Sequence, residues 1–359
     1  MKHYVSLRQL RLMQMMAILP TTLVFLPGQI FAQSRSGAFY AALLAAVLAY
    51  AINIAVIKSA HGASPFRLFK ISWGKLGIWA YSAYTLCLLL GIISIWNELF
   101  TFLQASVLPR TPPWGVGLLI WAVTAVVAGG DISGLARMTD LLTIGSVILG
   151  LVVLLPLLGY IRMDNFVPWT PSSLGSIWQG SLLPVTFLGE SVVGIAFNDS
   201  VREHDPRRRQ RALLQGTCIS AAVLVGLVAL IWGILGSSLA GEENFPILEA
   251  IRDIRLSPFL SRFDIVFVPL WLALIEMKLA LWFYIVVRAT KRIFRWGTLT
   301  TWTAILGAVT LAPSSFAFPS VASRVEYLKQ TWMTIAFPIL IILVLSSGLM
   351  GHLRKGHHE

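Results

Sequence analysis

Charged residues are scarce in this sequence. Of its 359 residues, 12% are charged and 57% are apolar, whereas about 25% of an ordinary soluble domain is charged. This composition excludes a water-soluble globular protein, because too much apolar surface would face water. The sequence therefore predicts an integral membrane protein with no sizeable soluble domain.

Cysteine is scarce as well. Cys87 and Cys218 are the only two cysteines, and both fall within long apolar stretches. Their number and placement exclude a disulfide framework and offer no metal-ligand spacing. We expect neither a metal nor another cofactor.

Catalytic sequence patterns are also missing. All six histidines lie outside the apolar stretches or at the very end of one. The sequence contains no HExxH, Walker loop or dinucleotide fingerprint. Residues 189 to 194 do not form a GxSxG elbow, and no histidine at membrane depth could activate Ser191. We therefore expect that the protein is not an enzyme.

Apolar runs long enough to cross a bilayer recur along the chain, since about 20 residues suffice. They predict about ten transmembrane helices in a single domain, residues 1 to 359. The predicted spans are residues 10 to 32, 38 to 58, 76 to 104, 113 to 129, 141 to 161, 178 to 198, 212 to 238, 264 to 288, 298 to 314 and 331 to 351.

The net charge of +12 comes from basic residues in the short loops between spans. With the N-terminus inside, 19 Lys and Arg residues lie on the cytoplasmic side and 8 on the other. This bias predicts cytoplasmic N- and C-termini and an even number of spans, and it argues against nucleic-acid binding. Arg207, Arg208 and Arg209 fit this anchoring role, and contact with anionic lipid or a partner is the alternative.

The first span allows two interpretations. Arg8 and Arg11 precede an apolar run that ends at Ala32, as in a cleaved signal peptide. Pro20 and Pro27 interrupt this run, and it is long enough to span. We expect the segment to be retained.

Two spans carry helix-breaking residues at comparable depth. One interruption includes Pro20, Thr21 and Thr22, and the other includes Phe187, Gly189, Glu190 and Ser191. Broken helices at matching places in two halves indicate a midplane ligand site in an inverted-repeat transporter fold. We therefore predict a LeuT-like five-plus-five repeat, residues 10 to 161 and 178 to 351, with helices 1 and 6 broken and these seven residues around the ligand. A kinked helix without a ligand remains the alternative.

Ionisable residues at membrane depth are costly and are therefore functional candidates. In the third span, Ser94, Glu98 and Thr101 share one helical face. This face indicates either a polar pathway or a hydrogen-bonded contact between helices. In the eighth span, Glu276 and Lys278 are two residues apart and cannot share a face, and we expect Lys278 to face the interior and join the pathway.

Residues 246 to 258 predict a short amphipathic helix on the outer side. Pro246 suits a first helical turn, Asn244 could cap it, and Ile247 and Ile251 belong to one apolar stripe. This helix and the basic loop at 202 to 211 are candidate contact surfaces for partners.

Several motifs resemble the GerAB-type spore germination proteins, the membrane B subunits of nutrient germinant receptors. They are Ser-Leu-Arg-Gln at 6 to 9, Phe-Leu-Pro-Gly at 25 to 28, Glu98 followed by Leu-Pro-Arg-Thr-Pro at 108 to 112, Phe-Pro-Ile-Leu-Glu-Ala-Ile-Arg at 245 to 252, Arg-Phe-Asp at 262 to 264, and Lys278. The resemblance covers nearly the whole chain. Asn97 departs from it, because the family commonly has a basic residue beside the glutamate.

This resemblance implies a fold similar to that of amino acid/polyamine/organocation transporters. It implies a subunit that senses amino acids or other small nutrients in the spore inner membrane and acts with A and C subunits. It also places Glu98, Glu190 and Lys278 at polar positions of the family. A secondary amino acid transporter coupled to protons or cations is the alternative, and a purely structural subunit is a third.

Overall fold

The computed structural model describes residues 4–167, 170, 173–253 and 263–355 of the chain. Its first half forms α1 (Leu7–Ser34), α2 (Ala38–Ser59), α3 (Pro65–Trp73), α4 (Gly77–Phe102), α5 (Pro113–Gly129) and α6 (Ile132–Leu157). Its second half forms α7 (Leu174–Leu188), α8 (Ser191–Gly194), α9 (Pro206–Glu242), α10 (Pro246–Arg252), α11 (Asp264–Phe294), α12 (Leu299–Phe316), α13 (Val321–Tyr327) and α14 (Phe337–Lys355).

Short helices of other types join these elements. Turns of 3-10 helix occupy Arg35–Gly37, Gly74–Leu76, Leu158–Tyr160, Met163–Phe166 and Ile195–Ser200, and π-helix occupies Leu103–Val107 and Leu328–Ala336. In the described part of the chain, the extended pairing is a single parallel bridge between Val5 and Val201. The fold is therefore all-α, as predicted.

Each predicted span coincides with a helical segment. Within the described residues, seven helical stretches are long and apolar enough to cross a membrane, and one of them, residues 7 to 59, contains both α1 and α2. Helix α5 is apolar but has only 17 residues. The structure thus supports a multi-pass membrane protein, and the count of ten spans stays a prediction.

Helix α1 begins with a reciprocal cap. The Ser6 hydroxyl accepts from the Gln9 backbone N–H at 3.2 Å, and the Gln9 side chain accepts from the Ser6 N–H at 3.0 Å. From there α1 packs against α6, α7, α9 and α11. It is therefore the central helix of the bundle.

The prediction that helix 1 is broken is wrong. Helix α1 is continuous, although Pro20 and Pro27 lie inside it. Each proline removes only one backbone donor, and every residue from 13 to 22 is buried against other helices. Nearby carbonyls also gain side-chain donors, since Thr22 Oγ1 donates to Leu19 O at 2.7 Å and Trp271 Nε1 donates to Pro20 O at 2.9 Å. Such packing and side-chain bonds allow membrane helices to tolerate proline.

The sixth span is broken as predicted. Helix α7 ends at Leu188, and the chain turns through Gly189 and Glu190 before the single turn α8 begins at Ser191. The span then continues as 3-10 helix to Ser200. We call the segment Gly189–Glu190 the helix break.

Helix α10 forms part of the predicted outer helix at 246 to 258. It runs from Pro246 to Arg252, and residues 254 to 258 lie outside the described part of the chain. Ile247 and Ile251 are buried, as their stripe predicted. The N-cap is Phe245 without a side-chain hydrogen bond, so the expected Asn244 cap is wrong.

Candidate functional site

The helix break is bridged by a side chain from α2. The Nδ2 of Asn53 donates to Leu188 O at 2.8 Å, and its Oδ1 accepts from the Ser191 N–H at 3.3 Å. Asn53 is fully buried. The Ser191 N–H also donates to Gly189 O at 2.8 Å, whereas Leu188 O has the Asn53 amide as its donor. Asn53 thus satisfies the Leu188 carbonyl, which would otherwise carry a desolvation cost, and ties both sides of the break to α2.

A second side chain reaches the break from α4. The hydroxyl of Tyr84 donates to Val192 O at 2.6 Å, in the first turn after the break. On the other side of the break, a Cβ at Gly189 would lie 2.5 Å from Cζ of Phe337. The break is therefore held by neighbouring helices and closely covered by α14.

Four side chains form a buried charge network beside the break. Lys278 Nζ lies 3.0 Å from Glu190 Oε2 and 3.3 Å from Oε1. The same ammonium donates to Thr21 Oγ1 at 2.8 Å, and the Thr21 hydroxyl donates to Glu98 Oε2 at 2.9 Å. All four residues are at most 1% exposed. The network joins α1, α4, the helix break and α11.

The charges in this network do not balance. Glu98 and Glu190 provide two carboxyl groups, and Lys278 provides one ammonium. Glu98 Oε1 is buried and has no hydrogen-bond partner among the described residues. A buried charge needs a partner or a proton. The network can therefore accept a proton, a small cation or the cationic group of a ligand.

Aromatic rings form the other wall of the network. Lys278 Nζ lies 5.2 Å from the centre of the Phe187 ring and 6.0 Å from that of Trp282, within the range of cation–π attraction. Trp332 lies 6.2 Å from Phe187 and 5.7 Å from Trp282, ring centre to ring centre. The indole N–H groups of both tryptophans are buried without a hydrogen-bond partner in the described structure. This side of the site combines apolar surface with two available donors.

The predicted site residues therefore differ in their surroundings. Thr21, Glu190, Glu98 and Lys278 meet in the network, and Phe187 and Gly189 adjoin it. The Ser191 hydroxyl is buried and has no partner among the described residues.

Three other predicted residues bond within their own helices. Ser94 Oγ donates to Leu90 O, Thr101 Oγ1 donates to Asn97 O, and Thr22 donates to Leu19 O. Asn53 was not predicted, because the candidate residues came from the two helix interruptions and from the spans that carry ionisable residues. The signal for Asn53 was an amide within an otherwise apolar span.

Glu276 lies outside the network, although it is only two residues from Lys278. It accepts a hydrogen bond from Thr124 Oγ1 at 2.7 Å, on α5. Lys278 is fully buried in the bundle, which confirms the predicted interior orientation. Glu276 thus provides a natural control for substitutions in the network.

A cavity of about 130 Å³ lies beside the segment that follows the break. It is lined by residues of α3, α4 and α11 and by the 3-10 segment that follows the break, including Tyr84, Phe197, Tyr284 and Arg288. Tyr84 is the link between this cavity and the turn after the break, because its hydroxyl donates to Val192 O.

Comparisons with known proteins identify a matching family and similar folds. A family model described as spore germination protein matches residues 4–318. The fold is similar to that of MhsT, solved in complex with L-phenylalanine, with a TM-score of 0.63 and 16% identity over 100% of this chain and 91% of that chain. A comparison with curated protein sequences finds no match.

The fold is also similar to that of Mhp1, a nucleobase-cation-symport-1 family transporter solved in a closed conformation with bromovinylhydantoin bound. The TM-score is 0.50 and the identity 15%, over 91% of this chain and 75% of that chain. At these identities the likeness concerns the fold alone, and it confirms the predicted LeuT-like membrane fold.

Proposed function

This chain belongs to the spore germination protein family, and we propose that it is the nutrient-sensing membrane subunit of a germinant receptor. Binding of an amino acid or another small nutrient at the helix break would then trigger spore germination. Membership of this family agrees with the prediction that the chain is not an enzyme.

The buried charge network carries this proposal. It brings two buried carboxyl groups and one buried ammonium to the point where a membrane helix is interrupted. Such groups are expensive at membrane depth and are retained for function. Broken helices near the midplane are where transporters of this fold class bind their ligands.

A zwitterionic ligand fits the available groups best. The cationic amino group of an amino acid could bind Glu98 Oε1, which lacks a partner among the described residues. Its carboxylate could bind Lys278 and the hydroxyl of Ser191, and its side chain could pack against Phe187 and Trp332. Since α1 is continuous, Thr21 would contribute its hydroxyl rather than freed backbone groups.

Signalling requires that the ligand bind one conformation more tightly than another. Lys278 currently bridges Glu190 and Thr21, so a ligand that competes for this ammonium would loosen the tie between α11 and the break. A structural change could then pass to the A and C subunits that the family resemblance implies. We place this assembly in the spore inner membrane, with both termini of this chain in the cytoplasm.

The charge imbalance of the network favours a second candidate function. A proton or small cation bound with the substrate would neutralise the second carboxylate. The protein would then be a secondary amino acid transporter coupled to protons or cations.

A binding titration tests the proposed site. Purified protein in nanodiscs is titrated with amino acids, nucleosides and sugars, and its thermal stability is recorded, since a ligand at 100 times its Kd adds about 2.7 kcal/mol. We expect one class to bind, and we expect Glu98→Gln to weaken binding at least about tenfold through loss of a charge-assisted hydrogen bond. Glu276→Gln is the matched control and should bind normally. Equal losses in both variants, or no binding by any compound, would contradict the proposed site.

Uptake by vesicles separates the two candidate functions. Protein reconstituted in liposomes is given the radiolabelled compound that binds in the titration, with and without a proton or sodium gradient. A sensor should bind the compound without accumulating it inside. Accumulation that depends on a gradient would instead establish the transporter.

A further inference from the structure

Two clefts on the outside of the bundle meet at one residue. A cleft of about 460 Å³ lies between α1, α6 and α9 and is also lined by residues of α10 and α11, and a second of about 370 Å³ lies near the first turns of α1 and α9. Ile219 lines both clefts. The two clefts therefore adjoin at this residue of α9, and we call them together the α1–α9 groove.

The larger cleft is apolar and follows the helix axes. Residues spaced four or seven apart lie on one face of a helix, and two such stripes line the cleft. They are Leu12, Leu19 and Leu23 on α1, and Ile219, Val223 and Leu227 on α9. Eleven residues separate Leu12 from Leu23, which corresponds to about 16 Å along the helix. This length matches one leaflet of the bilayer, about 15 Å of hydrocarbon.

The smaller cleft is basic and lies at the end where α1 and α9 begin. Arg11, Arg211, Gln215 and Tyr50 contribute to its lining. Arg11 Nη1 donates to Gln215 Oε1 at 3.4 Å, while its Nε is buried without a partner in the described structure. The guanidinium of Arg11 thus has one long hydrogen bond within the described structure, and it lines the smaller cleft, where an anion could bind it.

The arginines of the smaller cleft differ from nearby arginines in their pairing. Arg8 pairs with Asp140 at 3.1 Å, and Arg208 pairs with Glu203 at 3.2 Å. No acidic group of the described residues lies within ion-pair distance of Arg11 or Arg211. The positive charge of the smaller cleft is therefore not neutralised by the described protein.

We propose that the α1–α9 groove binds an anionic phospholipid. Its phosphate would lie between Arg11 and Arg211, and one acyl chain would follow the apolar stripes toward Leu23. A free phosphate would leave the apolar cleft unused, and a zwitterionic lipid would bring its headgroup cation close to two arginines that have no acidic partner among the described residues. Since α1 also carries Thr21 of the buried charge network, lipid in the groove would contact the reverse side of the same helix.

Gly150 provides a way to fill the groove. This residue of α6 lines the apolar cleft, and a Cβ built there has no atom within 4 Å. A phenylalanine at position 150 would therefore occupy acyl-chain space without a clash at its Cβ. Gly145 has the same open surroundings on the same helix and does not line the cleft, so Gly145→Phe is the matched control.

The test uses delipidated full-length protein in detergent. It is titrated with phosphatidylglycerol, with phosphatidylcholine of identical chains and with glycerol phosphate, and bound lipid is counted by native mass spectrometry. We expect phosphatidylglycerol to bind most tightly and glycerol phosphate not to bind. Arg211→Gln should weaken phosphatidylglycerol binding about fivefold, the effect of one basic residue near a membrane surface. Lys291→Gln, which removes one exposed charge elsewhere, should change it less than twofold.

A second pair of variants tests whether the acyl chain lies in the apolar cleft. Gly150→Phe should weaken binding of both lipids, while Gly145→Phe should not. Equal binding of the two lipids by the wild type would overturn the proposal, as would equal losses in Arg211→Gln and Lys291→Gln. If glycerol phosphate binds as tightly as phosphatidylglycerol, the site binds a free phosphate group and not a lipid. Normal lipid binding by Gly150→Phe would show that the acyl chain does not lie in the α1–α9 groove and would contradict the proposal.

Discussion

Replacing Lys278 with methionine tests whether the buried charge network holds the bundle together. Methionine keeps the length and the apolar stem of the side chain but removes the ammonium. Glu190 then loses a cation at 3.0 Å, and Thr21 loses a donor at 2.8 Å. Because both carboxyl groups stay buried, we expect a loss of about 3 to 5 kcal/mol of stability, as for other buried pairs that lose one partner.

The assay is thermal unfolding in nanodiscs, followed by tryptophan fluorescence. At roughly 2 °C per kcal/mol for a chain of this length, Tm should fall by about 6 to 10 °C. The double variant Lys278→Met/Glu190→Gln no longer buries a glutamate charge at position 190 and should recover about half of the loss. Glu276→Gln removes a carboxyl charge outside the network and should change Tm by no more than about 2 °C.

Two results would refute this reasoning. If Lys278→Met unfolds at the wild-type temperature, the ammonium does not stabilise the two carboxyl groups. The second result concerns Glu190→Gln. If this change destabilises the Lys278→Met variant as much as it destabilises the wild type, the two side chains act independently and the ion pair has no energetic role.

Two further predictions concern the surroundings of the network. Asn53→Ala leaves the Leu188 carbonyl without its amide donor, while the Ser191 N–H keeps its bond to Gly189 O, and should cost about 1 to 3 kcal/mol. Tyr84→Phe loses one hydrogen bond and should cost about half as much. Equal Tm values for the two variants would contradict this. Gly91→Ala places a Cβ 2.3 Å from the ring of Trp282 and should cost about 1 to 3 kcal/mol by overpacking. Gly115→Ala meets no atom within 4 Å and should be neutral, so the two alanine variants should separate clearly in thermal unfolding.

Much of the fold follows from the sequence because the bilayer imposes a simple rule. Every spanning segment must satisfy its own backbone, so an apolar run of sufficient length becomes a helix. The helix break was predictable because Gly189 and Glu190 occur together inside such a run. Glu98 and Lys278 were predictable as site residues because ionisable groups are costly inside a membrane span and are seldom placed there without a function.

Local sequence patterns do not predict features that depend on contacts with neighbouring helices. Pro20 suggests a break when α1 is considered alone, yet the buried surroundings of α1 keep it continuous. Asn53 looks like an ordinary polar residue until the helix break is placed beside it. The α1–α9 groove depends on how stripes far apart in the sequence come together, which the periodicity of any one helix does not give.

Hydrogen–deuterium exchange at the helix break tests the central claim most directly. The protein in nanodiscs is measured with and without the compound that binds in the titration, and the peptides that cover residues 185 to 195 are compared with those that cover α12. We predict slower exchange in residues 185 to 195 and no change in α12. Unchanged exchange at the break, with protection elsewhere in the chain, would show that the nutrient binds at another site.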